Sequence, residues 1–171
     1  ARVTLMNRME LAIERLEQGI RLLEQDPYVL RAFCLANRAM LMQYVHARDE
    51  YAGRKAKAGT KIYIQPDLKI YQDRRWRPFQ LAYLLLTLAS AAFPEDPHRN
   101  TVDLIWFPTG GGKTEAYLGV SAFLILYRRI MHGNAGAGTA VIMRYTLRLL
   151  TVQQFERASL LICCCEQIRR E

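Results

Sequence analysis

No segment of this chain is apolar for long enough to cross a bilayer. The longest runs, Leu81–Phe93 and Ala116–Tyr127, fall short of the ~18 residues a spanning helix needs, and both read as buried helices. No secretory signal is visible at Ala1. Cysteine is scarce and poorly spaced for chemistry: Cys34 stands alone, and the remaining three form the run Cys163, Cys164 and Cys165. Helical neighbours are rotated by about 100°, so three in a row cannot converge on one ion. With no Cys-x-x-Cys pair and no histidine at ligand spacing, the four read as buried reduced thiols. Free thiols point to a cytoplasmic location, and the short apolar runs to no membrane partner. Acidic residues are outnumbered, 16 against 24 Lys and Arg, which leaves a net charge of +8. That balance suits a polyanionic partner, because Lys and Arg replace the counterions around phosphates.

What the chain does have is concentrated in Val102–Gly119, VDLIWFPTGGGKTEAYLG. Val102–Phe107 is a short apolar run that reads as a buried strand. Gly110, Gly111 and Gly112 follow, then Lys113 and Thr114, then a helical run over Glu115–Ile130. Strand, glycine loop, Lys-Thr and helix together describe a phosphate cradle. Glycine lets backbone N–H groups turn toward an anion with no Cβ in the way. Lys113 can reach the β- and γ-phosphates, and the Thr114 hydroxyl can hold Mg²⁺. The general phosphate-loop pattern wants glycine at 107, where this chain has Phe107.

The 171 residues, 51% hydrophobic and 23% charged, suffice to bury a core. Three parts can be read along them. Residues 1–47 form a helical hairpin region. Leu5, Met9, Ala12, Ile13, Leu16, Ile20 and Leu23 repeat at helical spacing, Asp26-Pro27 breaks the pattern, and Val29, Phe33, Ala36, Met40 and Tyr44 make a second stripe. Residues 48–77 are a basic connector, with Arg54, Lys55, Lys57, Lys61, Lys69, Arg74, Arg75 and Arg77 around Gly53, Gly59 and Pro66, and a possible short strand at Ile62–Ile64. Residues 78–171 open with a helix from Pro78 to about Ala92 and continue through the phosphate cradle. A glycine-rich loop at His132–Gly138, a second strand at Thr139–Met143 and a final helix complete them. The expected fold is α/β: a helix-rich N-terminal region followed by the start of an incomplete parallel sheet.

FPTGGGKTE closely resembles motif I of superfamily-two helicases. Arg77-Pro78-Phe79-Gln80 resembles the adenine-reading element that precedes it there, in which a glutamine amide both donates to and accepts from the adenine edge. Arg144 to Gln154, RYTLRLLTVQQ, resembles motif Ia, with Tyr145 at the usual proline position and Leu147 at the usual basic one, flanked by Arg144 and Arg148. Over roughly residues 75–171 the resemblance narrows to the helicase component of the bacterial DISARM anti-phage system. It implies a RecA-like P-loop NTPase motor domain and an ATP-dependent DNA helicase or translocase that works in the cytoplasm with a partner protein. The DNA would be single-stranded, or a duplex with a single-stranded end. Carried over to this chain, Arg77, Phe79, Gln80, Thr109, Gly110, Gly111, Gly112, Lys113, Thr114 and Glu115 would bind ATP. Lys113 and Thr114 would be catalytic, with Mg²⁺ on the Thr114 hydroxyl. Arg144, Thr146, Arg148 and Gln153 would contact DNA.

Hydrolysis in such a motor needs an acidic pair at the end of another strand, and none follows Met143. Glu156, Glu166 and Glu171 all lie in the last helix. The chain therefore reads as an N-terminal piece of a larger protein, with the remainder of the polypeptide as a further partner. Two readings stand: part of an active motor, or a nucleic-acid-binding scaffold module that binds ATP structurally without turnover. A small-molecule kinase would leave Gln80 and the 144–154 stretch without a role.

Overall fold

A single residue, Asp26, separates the first two helices. Its Oδ1 accepts from the N–H groups of Tyr28 (2.8 Å) and Val29 (3.1 Å), and Pro27 takes the first helical position, where no N–H is required. The computed structural model describes residues 2–53, 73–108, 110–144 and 148–171. Five α-helices are found there: α1 (Arg2–Gln25), α2 (Pro27–Gly53), α3 (Pro78–Ala92), α4 (Lys113–His132) and α5 (Arg148–Arg170), with a 3-10 turn at Gly133–Gly136. Most of the basic connector, including Ile62–Ile64, lies outside the described residues.

Helix α2 is the centre of the core and packs against α4 and α5. Ala32, Ala36 and Ala39 are buried along it with Val29, Met40 and Met42. Small side chains there let Leu118, Ala122, Phe123, Leu126 and Tyr127 of α4 come close. Leu161, Cys164, Cys165 and Ile168 close the third side. Of the thiols expected to be buried, only Cys164 and Cys165 are; Cys34 and Cys163 are exposed. Burial pushes the Cys164 thiol up to about 11 and that of Cys165 to about 12, so both stay protonated and unreactive at neutral pH.

Helix α1 lies mainly against α3, and its seat differs from the expected stripe. Leu5, Met9, Ile13 and Ile20 are exposed, while Arg15 and Gly19 are buried. Gly19 is what brings the two helices together, since a Cβ there would stand 2.1 Å from the Leu85 carbonyl oxygen.

The expected α/β fold is not found: no strand, and hence no parallel sheet, exists among the described residues. Val102–Phe107 and Thr139–Met143 carry strand-like composition but no regular secondary structure. A strand is a ladder between neighbouring segments, and β-branched, apolar residues do not make one without a partner. Exposure in the first segment still alternates: Val102 (93%), Leu104 (81%) and Trp106 (90%) face solvent, whereas Asp103 and Ile105 are half-buried. No helix among the described residues is long and apolar enough to cross a membrane.

Candidate nucleotide-binding site

The glycine loop enters α4 through two left-handed residues, Gly110 (φ 77°) and Gly112 (φ 92°). Gly112 is the N-cap of α4 and supplies no side-chain cap, so the first-turn N–H groups are left for an outside acceptor. Its own site has no room for a side chain: a Cβ would lie 2.7 Å from Gln80 Nε2 and 3.4 Å from a Glu115 carboxylate oxygen. Gly111 N donates back to Pro108 O (3.1 Å) and closes the turn. Lys113 folds over the loop entrance, its ammonium donating to Phe107 O (2.5 Å) and Pro108 O (3.0 Å). Phe107, at the position where glycine is usual, stacks on Phe79 with ring centroids 4.0 Å apart and planes 17° from parallel.

From 34 and 32 residues upstream, Arg77 and Gln80 at the start of α3 reach the same loop. Arg77 Nη1 donates to Gly111 O (2.7 Å), and Gln80 Nε2 donates to Gly112 O (2.8 Å). Gln80 Oε1 also accepts from Arg77 N (2.9 Å), a capping contact that fixes the start of α3. Gln80 is 5% exposed. Thus Arg77, Phe79, Gln80, Gly110, Gly111, Gly112, Lys113, Thr114 and Glu115 are brought together, while Thr109 lies outside the described residues. Among the described residues, no group of three or more His, Cys, Asp or Glu is arranged to hold a metal ion.

The DNA-contact expectation gains less. Arg144 and Gln153 are both exposed; Thr146 and the side chain of Arg148 lie outside the described residues.

Three supports of the site were not read from sequence. Arg15 of α1, only 6% exposed, holds Asp103 through two bonds of 2.6 and 2.8 Å. An acidic residue inside an apolar run was the available signal, since such a group needs a partner when buried. Trp76 Nε1 donates to Asn37 Oδ1 (2.6 Å) and ties the entry of α3 to α2. Arg157 of α5 pairs with Glu115 at 2.6 Å. A hollow of about 500 Å³ lies elsewhere, an apolar groove between α4, residues 136–143 and α5. None of the described residues of the phosphate loop lines it.

With the loop, its lysine and the Arg77–Gln80 brace in place, comparison with known proteins is informative. The chain is similar to the DISARM protein DrmA of Bacillus paralicheniformis. The two are 38% identical over 169 residues, which is 95% of this chain and 14% of that relative. The chain therefore spans about one-seventh of the length of the curated relative it matches. No family model matches it. No solved structure is significantly similar.

Proposed function

We propose that this chain is the nucleotide-binding portion of an ATP-dependent DNA helicase or translocase acting in anti-phage defence. The observation that carries the ATP reading is the arrival of Arg77, Phe79 and Gln80 at a glycine loop that leads into a helix N-terminus. The similarity to a DISARM protein supports the defence role. The uncapped first turn of α4, entered through left-handed Gly110 and Gly112, fits a phosphate chain. Bound there, ATP supplies the transferable γ-phosphate, and Mg²⁺ would be held by the Thr114 hydroxyl together with phosphate oxygens. Lys113 leaves the Phe107 and Pro108 carbonyls to meet the phosphates. Gln80 keeps one N–H and one lone pair beyond its two bonds within the protein, the pair of functions an adenine edge matches.

A structural role without turnover in this portion alone is favoured by one observation. The carboxylates nearest the loop are engaged: Glu115 with Arg157 and Asp103 with Arg15. Neither is free to orient a water. In the full-length protein, Lys113→Ala should abolish ATP turnover with the thermal melt unchanged, because the lysine acts on phosphate charge and its side chain is not in the core. Near-normal ATPase activity in that variant would remove the loop from the chemistry.

A further inference from the structure

Glu115 sits in the first turn of α4, two residues after Gly112-Lys113, with a carboxylate oxygen beside Gly112. A carboxylate at this position of a helix ordinarily bends back onto the free N–H groups of the first turn, where the helix dipole favours negative charge. Those are the groups a phosphate would use. Left alone, Glu115 would both occupy part of the anion seat and repel whatever anion entered it. In the structure Arg157 of α5 binds one of its oxygens, Oε1, at 2.6 Å, while Oε2 stays on the Gly112 side.

The arginine is held in place independently of that pair. The carbonyl of Arg157 accepts from Gln43 Nε2 of α2 at 2.9 Å, and Gln43 is buried. The backbone of α5 is thus fixed to the core at the residue whose side chain reaches the loop. The other cations at the loop are committed to carbonyl oxygens, Lys113 to Phe107 and Pro108, and Arg77 to Gly111. Neither neutralises Glu115.

We propose that Arg157 is a positioning residue for triphosphate binding: it holds the Glu115 carboxylate by one oxygen and cancels its charge beside the anion seat at the start of α4. The inference rests on the nucleotide reading above and adds to it a residue from a helix 42 positions away. A plain structural pin between α5 and α4 would affect every ligand alike. Relief of repulsion instead scales with the number of phosphates and weakens with salt.

The test is equilibrium binding of ATP, ADP and adenosine to the full-length protein with Mg²⁺. Arg157→Ala should weaken ATP by about three- to tenfold, the range expected for one partly screened charge. ADP should weaken less and adenosine not at all, and the ATP loss should shrink as salt is raised. Adding Glu115→Gln to Arg157→Ala should bring ATP affinity back to within about twofold of wild type, since the repelling charge is gone. Arg157→Gln, which keeps a donor but no charge, is the second variant should alanine disturb folding, and it should show the same phosphate dependence. Equal loss for adenosine and ATP, failure of Glu115→Gln to restore binding, or unchanged ATP affinity overturns the proposal. If Lys113→Ala weakens ATP while the Arg157 variants do not, this inference alone falls. If wild type binds no ATP, or Lys113→Ala changes nothing, the nucleotide reading falls and this inference with it.

Discussion

Gln80 has two jobs within reach of one amide. Its oxygen fixes Arg77 N and its nitrogen fixes Gly112 O, so removal leaves a part-buried backbone donor and a loop carbonyl without these partners. That costs about 1–3 kcal/mol whichever nucleotide is bound. An adenine contact through the remaining N–H and lone pair would add a loss felt by ATP only. Gln80→Ala should therefore weaken both ATP and inosine triphosphate, whose base lacks the amino group, and weaken ATP more. Equal losses in a competition titration would leave Gln80 as loop support alone. The identity of this glutamine was legible in the sequence; its grip on the loop was not. The contact depends on α3 meeting α4, which no local pattern encodes.

At the scale of elements, α1 and α3 meet through an absence of side chain. Helix propensity favours alanine over Gly19 by about 1 kcal/mol. The contact opposes it, because the added carbon would stand 2.1 Å from Leu85 O, a backbone atom with no rotamer to yield. The clash should win, and Gly19→Ala should lower stability by about 1–2 kcal/mol in a urea titration. A gain in stability would mean α1 does not rest on α3 at that point. Gly136 makes a similar approach behind α4, where a Cβ would lie 2.2 Å from Arg128 O. Judged from its own helix alone, Gly19 is only a weakness in α1. A glycine's cost to its own helix is local and visible, whereas its value to a neighbour depends on a surface that only folding supplies.

For the whole molecule, the Arg15–Asp103 pair joins α1 to the segment feeding the phosphate loop. With one side chain 6% and the other 19% exposed, neither charge is well solvated, so losing one partner should matter more than losing both. Arg15→Met should destabilise by about 3 kcal/mol, and Arg15→Met with Asp103→Leu should recover most of it. Chemical unfolding of both variants checks this; a double variant no better than the single would show that the pair contributes through attraction and not through mutual compensation. The same segment presents Val102, Leu104 and Trp106 to solvent, and Ile142 stands 88% exposed in the other segment read as a strand. Each is a large apolar side chain that the core of this chain does not cover.

The sequence by itself determined what depends on near neighbours. Asp26-Pro27 ends α1 and caps α2, Pro78 opens α3, and glycines at 110 and 112 admit left-handed backbone ahead of Lys113. Each of these is a contact or torsion within a few residues, so composition and spacing suffice to read it. The tertiary structure decided the rest: which apolar stripe is buried, that Val102–Phe107 and Thr139–Met143 remain without strand partners, and which charges brace the loop. Gln80 with Gly112, Glu115 with Arg157 and Arg15 with Asp103 are separated by 32, 42 and 88 residues. Such pairs form only when helix packing brings their backbones together, and the free energy that does so is spread over the whole α2-centred core.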